Sequence, residues 1–209
     1  MAPPNLFIDD EALTDRQKDV LNAALGLLVD GGDGLTMTGV ARRASCSKET
    51  LYKWFGDRDG LLTATVQWQA AKVRMVPVDR QTLDRRTLAI ALEKFGRDWL
   101  TVLTGDISVA LNRLAVSHAG QEKRNLGAIV LEHGRNAMAR RCKPVLEAGR
   151  DAGLLTLDDP EKAFRTFFGL VVRDTQIRML LGEHERPSME QISLEARQAR
   201  EHFFALYGA

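Results

Sequence analysis

Between Val20 and Leu28 the apolar residues Val20, Ala23, Ala24, Leu27 and Leu28 follow the i, i+3, i+4, i+7, i+8 spacing of one helix face. Thr14 with Gln17 three residues later reads as a capping box, so the spacing predicts a first helix over Asp15 to Asp30. The glycines of GGDG, Gly31 to Gly34, end it. Thr36 is the N-cap of a short second helix, Met37 to Ala44. Val40, Ala41 and Ala44 lie on one side of it, and Leu35 is placed to staple against Val40. After Ser45, Cys46 and Ser47 a third helix, Lys48 to Phe55, takes Ser47 as N-cap and carries Leu51 and Phe55 as an i, i+4 apolar pair. Asp57 caps a fourth helix, with Leu61, Leu62, Thr65, Val66 and Trp68 along it until Pro77. Gly60 near its start costs about 1 kcal/mol relative to alanine on propensity alone.

Five further periodic segments follow, roughly Leu83 to Leu103, Ile107 to His118, Gln121 to Ala152, Pro160 to Leu181 and Met189 to Leu206. Gly105, Gly120, Gly153 and Gly182 stand at the breaks, and Pro144 is expected to kink or divide the long third segment at about Lys143. Alternating runs of valine, threonine and aromatics are lacking. The pattern therefore predicts an all-α protein of about nine helices: a three-helix unit, then a larger C-terminal bundle. The divisions are a polar arm over 1–13, a three-helix unit over 14–58, a connecting helix over 59–76 and a helical bundle over 77–209.

Composition adds little to this picture. Of 209 residues 44% are hydrophobic and 27% charged, and Lys and Arg (29) nearly balance Asp and Glu (28), so no global field marks a partner. Cys46 and Cys142 form no metal or disulfide pattern, which favours a reducing cytoplasm, and Cys46 reads as a small apolar filler rather than a redox switch. The chain opens without a basic, then apolar, leader. Its longest apolar run, FFGLVV from Phe167 to Val172, is too short for a membrane span.

Local charge is more informative. Residues 1–60 carry a net −3, but Thr36 to Arg58 holds Arg42, Arg43, Lys48, Lys53 and Arg58 against Glu49 and Asp57, a net +3. Two short helices joined by a three-residue turn behind a longer helix describe a helix-turn-helix. If Leu51 and Phe55 face the first two helices, the third presents hydroxyls, cations and aromatic rings outward. These groups suit phosphate oxygens and base edges, and DNA binding of this kind is salt-sensitive.

The stretch LTMTGVARRASCSKETLYKWFGDRDGLL resembles the DNA-binding domain of TetR-family transcriptional regulators. The resemblance rests on Thr36, the Val40–Ala41 pair, the turn, TLYKWF and DRDGLL, and spans about Thr14 to Met75. More loosely, Ala115 to Gly182, including DAGLLTLDDPEKAFRTFFGLV, resembles the C-terminal domain of an AefR-like subgroup. By that resemblance Thr36, Ser47, Lys48, Thr50, Tyr52, Lys53, Trp54 and Arg58 occupy DNA-contact positions. Ser47, Tyr52, Trp54 and Arg58 would hold phosphates, and Lys48, Thr50 and Lys53 would reach bases. The chain departs from the family pattern at Ser45, where a turn glycine is frequent, at Glu49, where a small residue is common, and at Trp54, where histidine or tyrosine is. Glu49 can accept from a cytosine amino group or repel phosphate.

The same resemblance makes 14–58 the helix-turn-helix DNA-binding domain and 77–209 the ligand-binding and dimerisation domain. It implies a small-molecule pocket for an apolar effector in the C-terminal bundle, for which Phe95, Trp99, Arg113, Met138, Phe168, Arg173 and Asp174 are the candidates. The last two predicted helices carry apolar residues on more than one face, so they need a partner. Phe164, Phe167, Val171, Leu180, Ile192 and Phe203 are the candidate contacts of a C2 homodimer. His118, His133, His184 and His202 have no metal-ligand spacing, and no nucleophile elbow, phosphate loop or dinucleotide fingerprint is present. The expected protein is a non-enzymatic, cofactor-free regulator, most simply a repressor released from a pseudo-palindromic double-stranded operator by a ligand. The rival reading is a helical small-molecule binding protein with a vestigial helix-turn-helix.

Overall fold

Thr14 and Gln17 cap the first helix reciprocally: Thr14 N–H donates to Gln17 Oε1 at 2.9 Å, and Gln17 N–H to Thr14 Oγ1 at 3.3 Å. The structure, a computed structural model, describes residues 13–31, 35–120, 126–183 and 185–209. Most of the polar arm, Gly32 to Gly34, residues 121–125 and His184 lie outside them. Four helices follow the sequence pattern closely: α1 (Asp15–Gly31), α2 (Met37–Arg43), α3 (Lys48–Phe55) and α4 (Arg58–Ala70). Each expected N-cap is made. Gly39 N–H donates to Thr36 Oγ1 (3.0 Å), Thr50 N–H to Ser47 Oγ (3.1 Å) and Gly60 N–H to Asp57 Oδ1 (2.8 Å).

The helix α4 stops at Ala70, well short of Pro77. Just beyond it Val73 is buried at 1% exposure, and its carbonyl accepts from Arg141 Nη1 at 2.9 Å, contacts that an extended chain can reach. Gly60 has a reason that propensity does not express. A Cβ there would run into the carbonyl oxygen of Phe55, with the carbonyl carbon only 3.2 Å away, so glycine lets α4 begin directly against the end of α3.

The other helices are α5 (Arg85–Leu103), α6 (Asp106–Ser117), α7 (Leu126–Val130), α8 (Asn136–Asp151), α9 (Pro160–Val172), α10 (Thr175–Leu180) and α11 (Met189–Tyr207), with a π-helical turn at Leu131–Arg135. Eleven α-helices are thus found among the described residues, because two predicted segments each break once. One breaks at the π-helical turn, the other at Arg173, whose φ of 45° closes α9. Pro144 does not divide α8, which runs through it. Met138, Cys142, Val145 and Leu146 are buried where α8 packs on α5 and α9, and that burial outweighs the roughly 3 kcal/mol an interior proline costs. Among the described residues there is no β-strand, only an isolated antiparallel bridge between Leu155 and Gly208.

The chain packs as two units that cut across its linear order. One contains the described residues up to Lys72 together with Asp106–Arg135; the other is Val73–Gly105 with Asn136–Ala209. In the first, α1 packs on α2, α4 and α6, and α4 on α7 and the π-helical turn. Val20, Leu21, Leu25, Val40, Leu51 and Leu61 share one core with Leu111, Leu114, Leu126 and Ile129. In the second, α11 packs on α5 and α9, and α8 on α9, around Phe95, Phe164, Phe167 and Phe203, all without exposure.

Candidate nucleic-acid interface

The helix α3 is held by one fully buried residue, Leu51, whose burial contributes about 1.5–3 kcal/mol. Anchoring at that position turns Lys48, Glu49, Tyr52 and Lys53 to the exposed side, with Tyr52 at 52% exposure. Thr50 is half-buried, its hydroxyl 3.1 Å from Ser47 Oγ. Thr36 and Ser47 accept helix N–H groups, and the Thr36 hydroxyl hydrogen remains available to donate outward. Trp54 is half-buried, packs against the core and meets Phe55 edge to face at 6.2 Å, so this ring helps to seat the helix.

Electrostatics sharpen the charge count. Arg43 turns back toward α1, where it pairs with Asp30 and its guanidinium covers Gly26. Arg58 Nε donates to Leu35 O at 3.0 Å, and Nη1 lies 3.7 Å from Asp59. Outside these pairs, the exposed positive charge of the stretch falls on Arg42, Lys48 and Lys53. Glu49's carboxyl is held below the usual carboxylate range by its own backbone N–H and the Ser47 hydroxyl, so it stays ionised at the front of α3.

Ser45, in the turn, adopts φ 50°, the left-handed region that glycine enters without penalty. Ser45→Gly is expected to stabilise the protein by about 0.5–1 kcal/mol, the strain relieved exceeding the added freedom of the unfolded chain. Denaturant unfolding checks this, and a lower midpoint at unchanged slope would contradict it. Cys46, beside it, is half-buried, whereas Cys142 is wholly buried and burial pushes its thiol up.

In the second unit Phe95, Trp99 and Phe168 come together. Trp99 lies 5.6 Å from Phe95, 5.1 Å from Phe168 and 5.9 Å, stacked, from Phe164. Phe95, Trp99 and Phe164 are buried, and Phe168 is half-buried beside them. Met138 is also buried, Arg173 pairs with Glu195 at 2.7 Å, and exposed Asp174 stands 3.8 Å from Arg178. Arg113 belongs to α6, in the first unit. An open cleft of about 370 Å³ is lined by Leu100, Met179 and Ile192, with Thr175, Arg178 and Gln191 among its other lining residues. Nothing in the spacing of those residues marks them in advance. Among the described residues no cluster of three metal-ligating side chains occurs, and no helix is long and apolar enough to cross a membrane.

Residues 90–209 match the family model of the AefR-like transcriptional repressor C-terminal domain. A TetR transcriptional regulator from Agrobacterium tumefaciens is 48% identical, with a TM-score of 0.81 over 94% of this chain and 96% of that one. The chain belongs to the TetR family of transcriptional regulators. The Flavonoid-responsive Regulator FrrA is 26% identical, with a TM-score of 0.67 over 92% of this chain and 97% of its own. No match is found among curated proteins. As a TetR-family member the protein is a DNA-binding transcriptional regulator.

For this TetR-family chain the expected dimer residues need correction. Phe164, Phe167, Val171, Ile192 and Phe203 are at most 3% exposed within a single chain, and Phe167 meets Phe203 at 5.4 Å. They form the core of the unit and offer no surface to a second copy. Counting apolar residues along α9 and α11 overlooked that α5 covers them. Leu180 is half-buried. The large apolar side chains exposed on α10, its C-cap and α11 are Ile177, Leu181, Met189, Leu194 and Leu206.

Proposed function

We propose that this TetR-family regulator is a repressor that binds a pseudo-palindromic operator as a C2 homodimer and is released by a small molecule. The observation that carries the reading is α3 itself, a capped helix fixed at Leu51 with Lys48, Tyr52 and Lys53 outward. Two such helices would enter successive major grooves about 34–36 Å apart. Thr36, Ser47 and Tyr52 would hold phosphates; Lys48, Thr50 and Lys53 would reach bases. Trp54 and Arg58, which also make contacts within the chain, would add phosphate contacts at the edge. Exposed Ile177, Leu181, Met189 and Leu194 supply apolar area for a second copy. Repression agrees with the description of the matched C-terminal domain.

The effector is inferred to be a hydroxylated aromatic molecule. The cleft is lined by apolar Leu100, Met179 and Ile192 together with hydrogen-bonding Thr175 and Gln191 and charged side chains such as Arg178 and Glu195, and the relative FrrA is flavonoid-responsive. Trp99, next to Leu100 on α5, gives a fluorescence handle. An effector that favours the conformation unable to read the operator shifts the population by its differential affinity. The chain crosses between its two units after Lys72, Gly105 and Arg135, so such a shift has three covalent routes to the reading helix.

Selection of a random duplex library with the purified protein tests this reading. It is expected to enrich a two-fold symmetric site, and a panel of flavonoids to include one that weakens binding to that site at least about tenfold, a coupling within the usual allosteric range. Binding indifferent to sequence would return the protein to the rival reading of a vestigial helix-turn-helix.

A further inference from the structure

Where α2 turns into α3, the carbonyls of its C-cap residue Ala44 and of Ser45 lie past the helix and need partners from elsewhere. Arg16, on the first turn of α1 and 28 residues earlier, supplies them. Its Nη2 donates to Ala44 O at 2.6 Å and to Ser45 O at 2.8 Å. One guanidinium thus spans the junction at which Ser45 takes its left-handed φ of 50°. Its positive charge also suits the negative end of α2. Arg16 Nη1 lies 3.7 Å from Asp19 on the same helix. At the other end of α2, Arg58 Nε donates to Leu35 O at 3.0 Å, so two arginines from different helices grip the two ends of α2.

The dihedrals of this junction set the direction in which α3 leaves α2. A small rotation there is carried along the eight residues of α3 to Tyr52 and Lys53. We propose that Arg16 is a positioning residue for operator reading: by tying the carbonyls of Ala44 and Ser45 to α1 it fixes the angle at which α3 meets the base edges, without contacting DNA. The inference rests on the operator-binding function proposed above and goes beyond it, because none of the DNA-contact positions includes Arg16.

The test uses the full chain and three forms: wild type, Arg16→Ala and Arg16→Lys. Binding to the selected duplex and to a scrambled duplex of equal length is measured over a salt series, at a temperature where each form is fully folded by circular dichroism. Arg16→Ala is expected to weaken binding to the selected duplex by about tenfold, the effect of one mismatched base contact. Binding to the scrambled duplex and the slope of log Kobs against log salt should not change. Arg16→Lys, which still donates to one carbonyl, should recover part of the loss, and it carries the test if the alanine form does not fold. A role confined to fold stability would leave folded-protein affinity for both duplexes at the wild-type value, and that result overturns the proposal. So does a slope reduced by about 0.9, the signature of a lost phosphate contact, or an equal loss on both duplexes. If wild type itself does not discriminate between the duplexes, the operator-reading function fails with it. If wild type discriminates and Arg16→Ala does so equally well, only the role of Arg16 fails.

Discussion

A fragment ending at residue 76 is expected not to fold, although it contains α1 to α4 and every residue of the helix-turn-helix. The core of that unit includes Leu111, Leu114, Leu126 and Ile129 from α6 and α7. Removing four such side chains removes about 1.5–3 kcal/mol each, or roughly 6–12 kcal/mol together. A domain has about 5–15 kcal/mol in total, so the loss is comparable with the whole. It also uncovers the faces of α1 and α4 that α6, α7 and the π-helical turn cover. Circular dichroism through a thermal ramp decides the matter. A cooperative transition from the fragment would show that α1 to α4 are self-sufficient, against the packing described here.

The double substitution Tyr52→Ala with Lys53→Ala is expected to lower operator affinity by about a hundredfold or more while leaving the unfolding midpoint nearly unchanged. Both side chains are exposed on α3, and exposed substitutions away from caps and cores usually shift stability by no more than about 0.5 kcal/mol. Each lost base or phosphate contact removes about 1–3 kcal/mol of binding. Titration of a selected operator duplex at fixed salt, beside thermal unfolding of the same preparations, separates the two quantities. Wild-type affinity in the double variant would assign DNA reading to some other surface.

The two halves of the chain were unequally legible in its sequence. The starts of the first four helices could be read almost to the residue because their signals are local: Thr14 with Gln17, Thr36, Ser47 and Asp57 each cap a helix within three residues of themselves. Leu51 likewise announced which face of α3 is buried. What sequence reasoning missed depends on contacts between distant positions. Arg43 counts as a groove cation until Asp30, thirteen residues back, is seen to hold it. Phe167 and Phe203 look like surplus apolar surface on two outer helices until α5 is found covering them. Pro144 reads as a helix breaker because propensity does not include the burial of Cys142 and Leu146 on either side of it. The return of residues 106–135 to the first unit has no signal in periodicity, since an amphipathic helix does not name the core it will join.

The contrast between the two thiols has a practical consequence. Cys142 is sealed inside the second unit with its reactive form suppressed, while Cys46 sits partly open at the entrance to α3. A maleimide or nitroxide reagent would therefore attach at one position per polypeptide without any engineered residue. In a two-fold assembly the paired labels would mark both reading heads, and electron spin resonance could follow their separation as operator and effector are exchanged.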